Sequence, residues 1–133
     1  SYPDGRKYFG QWKDGELNGR GTYTSPLRWK YEGEFKDSKF HGQGIYIYPD
    51  GERYMGQFNN GVQDGKGTLS YPDGRKYVGE FKNGIQNGQG TNTFSNGWYG
   101  IGEWIDVEPW NIKVFDNKGD LKMKWTKGEV QYF

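Results

Sequence analysis

Short runs of alternating residues recur along the chain, and each run has an aromatic and glycine side and a polar or aliphatic side. In the clearest run, 77–82, every second residue is Tyr, Gly or Phe, and the residues between them are Val, Glu and Lys. Successive side chains of a β-strand point to opposite faces, so this alternation predicts a strand whose two faces differ. The run recurs every 23 residues, beginning at Tyr8, Tyr31, Tyr54 and Tyr77.

Turn-forming sequences follow each of these strands. Asn60-Gly61 and Asn83-Gly84 favour the positive φ angles of a two-residue hairpin turn. A second strand follows, and in two units it ends at Tyr-Pro-Asp-Gly, beginning at Tyr48 and Tyr71, where Pro and Gly set the angles of another turn. Each unit is therefore predicted to be a hairpin, and hairpins joined by tight turns give an antiparallel meander.

The predicted fold class is all-β: an elongated single-layer antiparallel β-meander, built from 23-residue hairpin repeats and curved into a groove. Paired glycines lie in phase with the aromatic residues of their strands, so we expect an aromatic ring to lie across each of them. We also expect the aromatic side to be the concave one. The pairs are Gly19/Gly21, Gly42/Gly44, Gly65/Gly67 and Gly88/Gly90.

The repeat array is predicted to span residues 1–98, and residues 99–133 to form a degenerate repeat and a C-terminal cap continuous with the same sheet. Trp104 and Trp125 belong to that cap, with a dedicated tryptophan binding site as the alternative. The chain begins in mid-unit without an initiator methionine, which indicates a fragment or a processed product. The units lie near 8–30, 31–53, 54–76 and 77–99.

Composition changes this picture by showing what the core is made of and which partners to expect. The 133 residues are 32% hydrophobic and 19% aromatic and include 23 glycines, so burial must come from rings laid on glycine backbone. The net charge of +1 gives no overall attraction to nucleic acid. There is no cysteine and no long apolar run. We expect a cytoplasmic protein, with a membrane-peripheral location as the alternative.

Catalytic chemistry has little support in these residues. The single histidine, His41, occupies the position filled by Asn18, Asp64 and Asn87 in other units, which we interpret as a turn position suited to left-handed backbone. One histidine and no cysteine provide too few ligands for a nitrogen or sulfur metal site. Recurring carboxylates are explained by turn chemistry and a polar outer row. The sequence predicts no enzyme, no metal and no cofactor.

The repeated pattern Tyr-x-Gly-x-Trp/Phe-x-x-Gly-x-x-x-Gly-x-Gly resembles the MORN repeat (membrane occupation and recognition nexus). Four units fit it well, from Tyr8 to about Phe94. The resemblance implies an elongated all-β meander that forms a groove and has no catalytic activity. It also implies binding of protein segments and, in some members, of phospholipids.

The leading prediction is a scaffold that binds a protein or peptide segment, helical or extended, along an aromatic and glycine-lined groove. Carbohydrate binding is a lesser alternative. Leu27 and Trp29 replace a Pro-Asp-Gly turn, which indicates an accessory contact or local packing. The candidate groove residues are Tyr8, Trp12, Tyr31, Phe35, Tyr54, Phe58, Tyr77 and Phe81.

A row of basic residues is the basis for a second function, association with anionic phospholipid membranes. These residues precede each repeat tyrosine, and a meander aligns them about 10 Å apart. A solvated face is the alternative, since acidic residues lie between them. Threonine and charged residues on the same face are expected to meet water, with Ile45 and Ile47 as exceptions. Oligomeric state stays open. The row is Lys7, Lys30, Arg53 and Lys76.

Overall fold

The computed structural model describes residues 2–133, and twelve antiparallel strands in this range form one sheet in chain order. The predicted all-β meander is confirmed. Each repeat contributes one hairpin, and the last four strands continue the same sheet. The strands are β1 Lys7–Lys13, β2 Glu16–Thr24, β3 Lys30–Lys36, β4 Lys39–Ile47, β5 Arg53–Asn59, β6 Val62–Ser70, β7 Lys76–Lys82, β8 Ile85–Thr93, β9 Tyr99–Ile105, β10 Glu108–Phe115, β11 Leu121–Thr126 and β12 Glu129–Tyr132.

The hairpin turns have the backbone angles that the dipeptides predict. Asn60 and Gly61 have φ values of 49° and 87°, in the left-handed region that a two-residue turn of this type requires. Ser38 takes the glycine position of its turn and still has φ 62°. Its Oγ accepts a hydrogen bond from the backbone N–H of Leu17 at 3.1 Å, which ties this turn to the preceding hairpin.

The core lies on one face of the sheet, hereafter the aromatic face, and most of it is a row of aromatic rings. Tyr31, Tyr54 and Tyr77 are 0% exposed. Tyr54 packs edge to face against Phe58 of its own unit and Phe81 of the next, with centroid distances of 5.0 Å in both cases. Tyr31 joins Phe35 and Phe58 in the same way, and Tyr77 joins Phe81 and Trp104, so the core runs without interruption from unit to unit.

The two glycines of each pair have different roles. A Cβ on Gly67 would clash with the ring of Tyr54, as predicted. Gly65 instead has φ +96°, and a Cβ there would meet the side chain of Gln57. The expectation of a covering ring is thus correct for the second glycine of each pair and wrong for the first, which is needed for its backbone angle. The ring-covered set is Gly21, Gly44, Gly67 and Gly90.

The C-terminal unit fills its core with different side chains. Gly100 stands 23 residues after Tyr77, and the space beside it is filled by Ile112, Val114 and Trp104. Trp104 is buried, and its Nε1–H donates to the carbonyl oxygen of Gly90 at 3.0 Å. An aliphatic pair and one indole therefore replace the tyrosine ring at this end of the sheet.

Candidate functional site

The eight rings predicted to line a binding groove lie together on the aromatic face, but most of them form the core. Tyr8 is partly buried and Trp12 is exposed on β1, the first strand of the sheet. The buried rings contact each other and leave little surface for a partner. Their role as partner contacts stays a prediction, and the role that the structure gives them is packing. The buried set is Tyr31, Phe35, Tyr54, Phe58, Tyr77 and Phe81.

The tyrosine hydroxyls are also used within the sheet. Those of Tyr31, Tyr54 and Tyr77 donate to carbonyl oxygens three residues ahead, at 2.6, 2.6 and 2.9 Å. Burial raises the pKa of Tyr31 and Tyr77 to about 12 and raises the pKa of Tyr54 further. These groups are neutral hydrogen-bond donors at physiological pH, and their chemistry is structural.

Each of the first five hairpins contains a bulge that the sequence did not reveal. Between β5 and β6 the register shifts, so that residues 64–66 lie opposite Gln57 alone. Oε1 of Gln57 fills the gap by accepting a hydrogen bond from the backbone N–H of Lys66 at 2.8 Å. The recurrence of Gln or Glu at this position of every repeat is the feature of the sequence that could have indicated the bulge, but it is equally consistent with the outer polar row predicted above. The same bond is made by Gln11, Glu34 and Glu80.

The two candidate accessory residues differ in exposure. Trp29 is partly buried and stacks between Tyr23 and Tyr46, with centroid distances of 5.3 and 5.7 Å. Leu27 is exposed in the turn that precedes Trp29. Trp29 therefore contributes to local packing, and a partner contact by either residue stays a prediction.

The face opposite the aromatic face has an apolar row that crosses the sheet, hereafter the central row. Met55, Val78 and Ile101 are 51%, 46% and 47% exposed, although this face was expected to present threonine and charge. Ile45, interpreted as a local exception, is the register partner of Met55 and so belongs to the same row. These residues are far apart in the chain, and only the pairing of neighbouring strands brings them into one line. From β4 to β9 the row is Ile45, Met55, Thr68, Val78, Thr91 and Ile101.

A depression of about 850 Å³ lies over the central row. The aromatic face has smaller depressions of about 320 and 420 Å³. The largest of these three depressions thus lies on the face opposite the candidate groove residues. Along one side of the central row the depression is bounded by a set of amide and charged residues, hereafter the amide row. These are Gln43, Gln57, Lys66, Glu80 and Gln89.

The basic residues lie along the other side of the central row. Pairing register places Lys30, Arg53 and Lys76 in one line, each separated from the next by one intervening strand. Lys30 is 3.6 Å from the carboxylate of Glu32. Among residues 2–133, no ion pair includes Arg53 or Lys76, and both are exposed. These two cations therefore have their charge available to a partner.

A family model described as MORN repeat matches the chain at residues 8–26, 31–53, 54–74 and 77–99. The chain belongs to the MORN repeat family. Its MORN units begin at the same four tyrosines from which the 23-residue period is counted. The segment 27–30, which contains Leu27 and Trp29, falls between two matches. Comparison with curated proteins gave no match.

His41 and the possible metal ligands are the remaining candidates for reactive chemistry. His41 lies within β4 and does not have a positive φ, so its interpretation as a left-handed turn residue is wrong; the left-handed residue is Gly42, with φ +65°. No group of three or more His, Cys, Asp or Glu side chains within residues 2–133 is placed to hold a metal ion. The same range has no helix long and apolar enough to cross a membrane.

Proposed function

We propose that this MORN array is a noncatalytic scaffold that binds a protein segment in the depression over the central row. The observation that carries the proposal is the alignment of Met55, Val78 and Ile101, all about half exposed, along a depression of about 850 Å³. Aliphatic side chains gathered in a concave surface are typical of a contact site, whereas isolated exposed ones are not. In this arrangement the aromatic face stabilises the sheet, and the opposite face contacts the partner.

The sheet is suited to hold this surface in one shape. The buried rings on its other face join every MORN unit to the next, and the glutamine and glutamate caps satisfy the backbone at each bulge. A preformed surface binds with little ordering cost, so more of the gain from burying apolar area is available as affinity. Burial contributes about 25 cal/mol for each Å² of apolar area.

The polar residues around the depression can orient a bound segment through hydrogen bonds and charges. The amide side chains of Gln43 and Gln89 have both donors and acceptors, and Lys66 and Glu80 add one charge of each sign. An apolar strip with polar groups at its edges is the usual arrangement of a recognition surface. The partner is accordingly expected to be amphipathic.

The experiment is affinity capture from an extract of the source cells with three versions of the protein. Wild type and Ile85→Glu, which changes an equally exposed aliphatic residue outside the depression, should retain the same partner. Val78→Glu should lose that partner while keeping the wild-type circular dichroism spectrum and thermal midpoint. Equal capture by all three proteins, or equal loss in both variants, would contradict the proposal.

Anionic membrane association is the second candidate, and the aligned basic row supports it. Lys7, Lys30, Arg53 and Lys76 lie on the same face as the exposed Phe9. The row has only one basic residue per unit, which favours weak attachment. Sedimentation with phosphatidylserine vesicles at low salt tests it, and absence of binding removes this candidate. The cytoplasmic or membrane-peripheral location stays a prediction.

A further inference from the structure

We propose that the bound segment is an amphipathic α-helix that crosses the strands, with an apolar residue at every seventh position and acidic residues along the side that faces Arg53 and Lys76. This inference rests on the proposed function, because it concerns the same depression. It adds that the partner is helical, that its apolar residues recur every seven positions and that one of its flanks is acidic. Three features of the surface carry it: its spacing, its three parallel rows and its unpaired cations.

The spacing of the central row matches a helix with a seven-residue repeat. Met55, Val78 and Ile101 are each separated by one intervening strand, so neighbouring members are about 9.6 Å apart. Seven residues of an α-helix advance about 10.5 Å. The difference of about 1 Å per contact lies within the reach of a flexible Met or Leu side chain.

Extended segments match the surface less well. Three residues of a β-strand advance about 10 Å, but an odd step turns alternate side chains away from the surface. A polyproline helix advances about 9.3 Å in three residues and fits the central row alone. It presents one residue in three to a surface, and its other two lines of side chains are about 120° away and point off the surface. The comparison therefore favours the α-helix.

An α-helix can meet all three rows at once. Residues at i+3 and i+4 lie on either side of residue i, so an apolar line along the helix is flanked by two further lines. On the sheet, the basic and amide rows lie on opposite sides of the central row, each about 7 Å away. The two outer rows are therefore about 14 Å apart, and long side chains such as those of Arg53, Lys76 and Gln57 reach across the small difference from the width of a helix, about 10 to 12 Å. The central line of the helix then contacts Met55, Val78 and Ile101.

The charges on the two sides of the central row determine which flank of the partner helix is acidic. Arg53 and Lys76 on one side have no ion pair within residues 2–133. The amide row on the other side has the opposite charges of Lys66 and Glu80 and otherwise neutral amides. Acidic residues on one flank of the helix and neutral polar residues on the other are the complementary arrangement.

A planar membrane fits these features less well than a helix. Its surface reaches the basic row, but the apolar side chains of Met55, Val78 and Ile101 lie within the depression. A narrow convex ligand follows that single line of side chains more closely than a flat one. Vesicle binding is therefore included as an opposing outcome of the test.

The test uses a fluorescent synthetic helix of three heptads with leucine at every seventh position and glutamate along one flank. One control peptide has lysine for glutamate, a second has the same composition with leucine at every fifth position, and a third is polyproline. Fluorescence anisotropy with the whole protein should show binding of the glutamate peptide alone. Val78→Gln should weaken its binding at least tenfold, and Ile85→Gln should leave it unchanged.

Charge reversal provides the sharper comparison. The double variant R53E/K76E should weaken the glutamate peptide at least tenfold and gain binding of the lysine peptide. Lys82→Glu and Lys36→Glu, combined, make the same change in net charge at exposed positions outside the basic row, on the far side of the amide row, and should have no effect. Thermal midpoints of all variants should match wild type, since these side chains are exposed.

Four results would overturn the inference: equal binding of the lysine peptide, preference for polyproline, preference for the five-residue spacing, or no binding of any peptide, with or without binding of phosphatidylserine vesicles. The proposed function fails separately. If the natural partner is lost in Val78→Glu but competes with none of these peptides, the scaffold proposal stands and the helix inference is wrong. If the partner is indifferent to Val78→Glu, the scaffold proposal is wrong.

Discussion

The hydroxyl of Tyr54 donates a hydrogen bond to the carbonyl oxygen of Gln57 at 2.6 Å, while the amide side chain of Gln57 accepts one from the backbone of Lys66 at 2.8 Å. The two residues thus connect the aromatic face to the bulge that borders the depression. Between them, the ring of Tyr54 covers Gly67. Stability of the core and shape of the candidate binding surface therefore depend on the same few contacts.

Gly67→Ala should lower the free energy of unfolding by about 3 kcal/mol, because the new methyl group meets a ring that is packed on every side. Gly61→Ala is the matched control. Its site is open but has φ +87°, so only backbone strain of about 1 kcal/mol is expected. Urea unfolding measures both. Equal losses in the two variants would show that ring contact at Gly67 is unimportant.

High pH should unfold the protein as its buried tyrosines ionise. The pKa values of Tyr31 and Tyr77 are raised to about 12 in the folded state, above an unfolded value near 10. This contribution to stability is fully present below pH of about 10 and is lost as the pH rises towards about 12. Tyrosinate absorbance and circular dichroism should change together. Ionisation of all tyrosines near pH 10 without unfolding would contradict the burial.

Tyr54→Phe should cost about 1 kcal/mol of stability, since it removes one buried hydrogen bond and leaves the ring in place. Tyr132→Phe is the control, because that hydroxyl belongs to an exposed side chain near the end of the chain. Thermal unfolding should separate the two variants by several degrees for a domain of this size. No difference between them would show that the Tyr54 hydroxyl is not used for stability.

Glu80→Gln should be nearly neutral, whereas Glu80→Ala should cost about 1 to 2 kcal/mol. Glu80 Oε1 accepts from the backbone N–H of Gln89 at 2.7 Å, and Gln57 makes the equivalent bond with an amide oxygen. Alanine leaves that N–H without its acceptor. Urea unfolding of both variants tests this. A large loss in Glu80→Gln would mean that the charge, not the acceptor, is needed.

Val107→Gly should raise stability by about 1 kcal/mol. Val107 takes the position of Gly84 in the next hairpin and has φ 74°, a conformation that is strained for a β-branched residue. Lys127 and Gly128 form the following turn with glycine in the second place, and Gly128→Val should cost a similar amount. Thermal unfolding of both variants measures the pair. A destabilised Val107→Gly would indicate packing that outweighs the strain.

The fold could be predicted from the sequence because the residues that determine each strand and turn are close together in the chain. The alternation at Tyr77, Gly79 and Phe81 predicts a strand, and Asn83-Gly84 predicts the turn that ends it. Those signals repeat in register, so an error in one unit is corrected by its neighbours. The covered glycines were also predictable, since a ring from the neighbouring strand needs space.

The candidate site did not follow from sequence because it depends on alignment between strands. Met55 and Val78 look like single exposed residues until register places Thr68 between them. The bulge at Gln57 shifts the pairing register of β5 and β6. Gly65 permits this bulge through its positive φ, whereas its sequence position predicts contact with an aromatic ring. The aromatic side was expected to be the groove because this alignment on the opposite face cannot be read from one strand at a time.

Site-specific photocrosslinking tests the central claim most directly. A photoreactive phenylalanine analogue is placed at Met55, in the depression, or at Trp12, exposed on the aromatic face. Both proteins are irradiated in an extract of the source cells, and the partner captured by wild type is followed. Crosslinking at Met55 and none at Trp12 is the predicted result. Crosslinking at Trp12 and none at Met55 would contradict the account and place the partner on the aromatic face.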